Sequence, residues 1–129
     1  MAVAMGSLEH YIEHHKDVHE ECLEKSGSTE DLAMSTLARE GEASAEGRCY
    51  LNCLFDHLTI MVDGKYSLDN SKELLRHKYE SEPEKMAKVH AIAEECDQEV
   101  ESDGKDPCEV AYELFTCYRG KKDEQDLGD

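Results

Sequence analysis

Wound at about 3.6 residues per turn, Leu8, Tyr11, Ile12, His15, Val18, His19, Cys22 and Leu23 fall on one side of a helix, so residues 8–25 read as one amphipathic segment. Gly27 ends it. Ser28, with Asp31 three positions on, predicts the cap of a short second helix carrying Leu32, Ala33 and Leu37, after which Gly41 and Gly47 loosen the chain. Over residues 46–62 the pattern changes. Cys49, Cys53 and Ile60 stand on one side while Leu51, Leu54, Phe55, Leu58 and Val62 stand on the other, which predicts a helix buried on two faces. Asp63, Gly64, Lys65 and Tyr66 form a turn, and Ser67 caps a fourth helix that presents Leu68, Leu74, Leu75 and Tyr79 and ends near Glu80.

The two prolines, Pro83 and Pro107, each sit where the first turn of a helix tolerates a missing N–H, and so mark two further helix starts. The fifth helix aligns Met86, Val89, Ile92, Ala93, Cys96 and Val100. Ser102, Asp103 and Gly104 separate it from a sixth, which opens on Asp106, Pro107, Cys108 and Glu109 and carries a stripe of Val110, Ala111, Leu114, Phe115 and Tyr118. No segment shows sustained strand alternation, and there is neither an internal repeat nor a low-complexity tract. The chain therefore reads as all-α, a compact bundle of about six short helices.

At 129 residues the chain is long enough for one core, and a single domain is expected over residues 8–120 with a short polar tail over 121–129. Residues 1–7 are too short to hold the apolar stretch of a signal peptide. They read as an expression remnant or an irregular N-terminus, and the chain as a mature form. A formal net charge of −17 repels nucleic-acid phosphates and anionic membrane surfaces. Without a run of about twenty apolar residues, membrane insertion is not expected either.

Six cysteines in so short a chain admit fifteen pairings, and a disulfide framework implies an oxidising, extracellular compartment. Helical phase narrows the possibilities. Cys49 and Cys53, four apart, project from one face of one helix and can each hold a different neighbour. Cys108 and Cys117, nine apart, stand at opposite edges of the apolar stripe of the sixth helix and also point to different partners. Several pairings remain compatible with this geometry.

The intervals between the cysteines, 26 residues from Cys22 to Cys49 and then 3, 42, 11 and 8, are similar to the six-cysteine signature of insect odorant-binding and pheromone-binding proteins. The run Cys49, Tyr50, Leu51, Asn52, Cys53, Leu54, Phe55 resembles the third helix of that family, and the likeness covers residues 8–118. It implies three interlocked disulfides, Cys22 with Cys53, Cys49 with Cys108 and Cys96 with Cys117, around an internal apolar cavity. It also implies a carrier without catalytic residues or cofactor, whose ligands are odorants, pheromones or other small lipophiles. Such a carrier works in extracellular fluid, the sensillum lymph if its role is olfactory, and the resemblance leaves an olfactory receptor and a second copy of the chain open as protein partners.

By helix face, the apolar ligand contacts expected are Leu54, Phe55, Leu58, Leu74, Leu75, Met86, Val89, Ile92, Val110, Leu114, Phe115 and Tyr118, with Tyr79, His90 and Tyr118 as the polar groups that set specificity. One departure lies at the end of the chain. Some relatives carry an apolar C-terminal segment that enters or covers the cavity, whereas here only Leu127 is available to bury after residue 119, which argues against insertion of the tail.

Other motifs carry less. His10, Glu13 and His14 match the inverted zinc-protease spacing, but on the polar face of a short helix with no catalytic domain around it, so neither catalysis nor a resident metal is expected. His15 and His19 fall on the apolar face and are expected as satisfied core histidines. Protonation of His15, His19 or His90 at mildly acid pH offers a route to ligand release. A calcium loop starting at Glu99 fails because its twelfth position is Val110, and Cys49 with Cys53 lacks a second pair at zinc-ribbon spacing. The leading expectation is thus a lipophile carrier, and the alternative a secreted helical protein with a filled interior that docks a partner through its acidic surface.

Overall fold

The computed structural model describes residues 6–127. Among them, seven helices and one hairpin follow in the order α1 (Gly6–His14), α2 (Lys16–Ser26), α3 (Glu30–Leu37), α4 (Ala45–His57), β1 (Met61–Val62), β2 (Lys65–Tyr66), α5 (Leu68–Lys78), α6 (Pro83–Glu99) and α7 (Pro107–Glu124). The architecture is all-α and held by three disulfides, Cys22 with Cys53, Cys49 with Cys108 and Cys96 with Cys117. Helix α4 is central, packed against α2, α3 and α7, while α6 joins α5 to α7. Its buried Tyr50, Leu51, Leu54 and Phe55 meet Val110, Ala111, Leu114 and Phe115 of α7 in one apolar cluster. None of the described helices is long and apolar enough to cross a membrane.

Four boundaries differ from the sequence expectation. The single helix over residues 8–25 is two, broken at His15, whose φ of −137° and ψ of 61° leave the helical region. A straight helix of that length would run on for roughly 27 Å. The break lets α1 diverge while Cys22 keeps α2 bonded to α4. The cap of α3 is Thr29, which accepts from the Leu32 N–H, and Ser28 stands outside it. Helix α4 stops at His57 instead of reaching Val62, because Thr59 turns into the left-handed region at φ 61° and the Ile60 N–H closes back onto the Phe55 carbonyl. Last, the segment expected as a polar tail continues α7 to Glu124 and buries both Lys122 and Leu127. Of the proposed N-terminal remnant, residues 1–5 lie outside the described residues, and Gly6 begins α1.

The expected turn after α4 is the loop of a hairpin, with Met61 opposite Tyr66 and Val62 opposite Lys65. Asp63 and Gly64 supply the two positive φ angles, 53° and 79°, that a tight two-residue hairpin needs. Two-residue strands leave no alternation to read. Ser67 caps α5 through the Asn70 N–H, and Pro83 and Pro107 open α6 and α7, where Asp106 accepts from the Cys108 N–H.

Helix α3 lies so close to α4 that a Cβ on Gly47 would stand 2.1 Å from Thr36 Oγ1 and 3.3 Å from Thr36 Cβ. Thr36 is buried and its hydroxyl donates to the Leu32 carbonyl, so it has little room to yield. Gly47→Ala should therefore cost about 1–3 kcal/mol of unfolding free energy in urea titration. Gly120→Ala in α7, where nothing lies within 4 Å of the added methyl, should instead gain about 0.5–1 kcal/mol.

Candidate ligand-binding cavity

Between the helices lies a partly open cavity of about 290 Å³ whose wall comes from six elements. Helix α1 contributes Leu8, Glu9 and Tyr11; the end of α4 and the turn after it give Phe55, Leu58 and Ile60; β2 gives Tyr66. Ser71, Leu74, Leu75 and Lys78 follow the one-face spacing of α5, which has no fully buried residue, so this helix lies over the cavity as a cover. Cys96 is the contribution of α6, and α7 provides Leu114, Phe115, Tyr118, Arg119 and Lys122.

Seven residues expected at the ligand meet at this wall: Phe55, Leu58, Leu74, Leu75, Leu114, Phe115 and Tyr118. Leu54, Val89, Ile92 and Val110 are fully buried in solid packing away from it. Met86 is half-buried against the same core. Tyr79 is buried beside the cavity and its hydroxyl accepts from Lys122 Nζ at 3.2 Å, while the His90 ring meets the Lys72 carbonyl at 3.2 Å, on the α5 side of α6. The reading by helix face missed two kinds of residue. Leu8, Tyr11 and Ile60 were visible as apolar positions, but the break at His15 and the turn at Thr59 aim them inward. Glu9, Lys78, Arg119 and Lys122 were passed over because charge implies surface.

The wall also carries polar groups. Tyr66 hydrogen-bonds Ser71, and burial holds the Tyr66 phenol above the usual tyrosine range. Burial raises the Tyr118 phenol too, so it stays a neutral O–H donor. That hydroxyl is shielded from solvent and has no hydrogen-bond partner among the described residues. Lys122, 1% exposed, places Nζ 5.4 Å from the centre of the Tyr118 ring.

The histidines divide. His19, its side chain 12% exposed, is satisfied as expected: Nε2 lies 2.7 Å from a Glu30 carboxylate oxygen and Nδ1 2.5 Å from the buried Tyr50 hydroxyl. His15 is exposed instead, because it sits at the helix break and stacks on the Tyr11 ring at 4.3 Å. His10, Glu13 and His14 bring ligand atoms within 4.8 Å of one another, all three exposed on α1 and none on the cavity wall. A second hollow near the hairpin is lined mainly by polar side chains, Lys65, Asp97, Glu101 and Asp103 among them.

A helical shell crossed by three interlocked disulfides around an apolar cavity is a defined structural class. The chain belongs to the PBP/GOBP family, whose model matches residues 6–121, and so to the insect odorant-binding proteins. It is 32% identical over 104 residues to Odorant-binding protein 10 of Aedes aegypti, spanning 78% of this chain and 68% of that protein. Its fold matches the solved structure of odorant-binding protein dmelOBP28a from Drosophila melanogaster with a TM-score of 0.69 at 23% identity, covering 87% of this chain and 92% of that one.

Because Cys96 is itself part of the wall and its bond to Cys117 ties α6 to α7, this staple joins two sides of the cavity. Replacing both cysteines by alanine should lower the unfolding free energy by about 3 kcal/mol, measured by urea denaturation monitored by circular dichroism.

Proposed function

We propose that this protein is an extracellular carrier that takes up one small hydrophobic molecule in the cavity under α5 and releases it after passage through aqueous fluid. The observation that carries this reading is the largely apolar cavity of about 290 Å³, close to the lower end of the volumes that small-molecule sites occupy. A bundle this small would gain stability by collapsing onto the space, since unfilled volume costs packing energy. Three disulfides supply the rigidity that keeps it open. The names of the similar proteins, both odorant-binding, favour volatile or lipid-like cargo. All six cysteines are paired, which suits an oxidising compartment. The space also weighs against the alternative of a partner-docking protein with a filled interior.

A fluorescent apolar probe titrated into the protein should bind one site and be displaced by odorant-sized lipophiles. Leu58→Trp, which pushes an indole into the cavity from the end of α4, should weaken probe binding at least about tenfold while the helical circular dichroism is kept. No probe binding, or binding that Leu58→Trp leaves unchanged, would contradict the carrier.

A further inference from the structure

We infer that the solvent side of α1 carries an exchangeable metal site, in which His10, Glu13 and His14 hold one divalent transition cation of the zinc class and clamp the last turn of a helix that lines the cavity. The three side chains are exposed, and their ligand atoms all lie within 4.8 Å of one another. Positions i, i+3 and i+4 share one face of a helix, so the backbone alone gathers them. The His10 and His14 rings already stand side by side, their centroids 4.4 Å apart. Ligand atoms at about 2.0–2.1 Å from a tetrahedral zinc stand roughly 3.3 Å from one another, and exposed side chains close that difference by turning about χ1 and χ2.

A hydrogen bond prepares His14 for the role. Its Nδ1 lies 3.0 Å from the His10 carbonyl oxygen. A carbonyl has no proton to give, so Nδ1 carries the hydrogen and, in the neutral ring, Nε2 keeps a bare lone pair. Metal-bound histidines are oriented in this way, donating their other N–H to a carbonyl or carboxylate. Glu13 supplies the negative charge, and among the described residues no ion pair competes for it. The other histidines lack this combination. His57 and His77 each meet one carboxylate, Glu21 at 3.3 Å and Glu73 at 3.7 Å, but those carboxylates are also held by Lys25 and Arg76. Cys22, Cys53 and His57 lie close together too, yet the two sulfurs are bonded to each other and offer no thiolate. Imidazole beside carboxylate suits zinc or its transition-metal neighbours, whereas calcium and magnesium prefer oxygen shells. The formal net charge of −17 draws cations to the surface, and the two imidazoles decide which is kept.

The position gives the ion a structural effect. Helix α1 is nine residues long and ends at His14, one residue before the backbone leaves the helical region at His15. A helix that short is marginal by itself, and it carries no cysteine to anchor it. An ion spanning His10 and His14 joins the two ends of its last turn, and Leu8 and Tyr11 of the same helix belong to the cavity wall. The ion acts as a clamp and not as a catalyst, since none of its donors lines the cavity.

The test titrates the intact, disulfide-bonded protein with zinc at neutral pH in competition with a chromophoric chelator, and follows amide hydrogen exchange over α1 by mass spectrometry. One zinc should bind per chain, and saturation should slow exchange in α1 at least about threefold. His10→Ala and His14→Ala, at exposed positions where alanine favours the helix, should each weaken zinc binding at least about tenfold and remove the slowing; Glu13→Gln should weaken it roughly threefold. His77→Ala should leave both readouts unchanged, and excess calcium or magnesium should not displace the zinc. No measurable zinc binding, binding that survives replacement of both histidines, or bound zinc that leaves exchange in α1 unchanged would overturn the inference. Each of those results leaves the carrier reading standing, because none of them measures the cavity.

Discussion

Cys49 and Cys53 project from α4 one helical turn apart, and the bonds they form run in different directions, one to Cys108 at the start of α7 and the other to Cys22 in α2. A helix tied on both sides cannot slide along its neighbours or rotate between them. The third bond, from Cys96 to Cys117, extends the same constraint to α6 and α7. The covalent frame thus holds α2, α4, α6 and α7, while α3 and the two cavity helices α1 and α5, which carry no cysteine, lie outside it. Those two helices face the cavity through Leu8 and Tyr11 on one and Leu74 and Leu75 on the other. The elements fixed by disulfides and two of the helices that line the cavity are thus different parts of the fold.

Much of this was legible in the chain because the relevant signals are local. Pro83 and Pro107 start helices wherever they are placed, Ser67 offers a cap, and the phase of Cys49 and Cys53 follows from the helix alone. What escaped depends on tertiary balance. The apolar stripe from Leu8 to Leu23 is continuous, so nothing in it announces the break at His15; that break is decided by where α2 is anchored and where α1 must go. Thr59 is a poor residue for a left-handed turn, and it is held there because Ile60 and Met61 both find apolar surroundings beyond it. In the cavity the same division holds. Apolar residues on predicted faces were sorted only in part, since Leu54 and Leu58 lie one turn apart on α4 yet one is solid core and the other is wall. The buried lysine was invisible to any rule that sends charge outward.

Electrostatics separate the inside from the outside. Most of the charge lies in exposed groups, where pairs such as Lys25 with Glu21 or Lys65 with Asp103 contribute little to stability. Their collective effect is a negative field that keeps chains apart and disfavours anionic surfaces. Arg48 is a local exception, holding Glu42 and Glu109 and lying 4.2 Å over the Tyr112 ring, so that the approach of α7 to α4 beside the Cys49 bond is reinforced by charge. Lys122 departs from that pattern: it is buried, and its Nζ donates to the Tyr79 hydroxyl.

The central claim is that a covalent frame, and not close packing alone, maintains the apolar cavity. It is tested most directly by titrating one apolar fluorescent probe into the disulfide-intact protein and into the same protein fully reduced and alkylated, with the helical circular dichroism of each recorded alongside. The account predicts a single saturable site in the intact protein, and loss of that site on reduction together with part of the helical signal. A reduced protein that binds the probe as tightly as the intact one, or an intact one that does not bind it, would contradict the account.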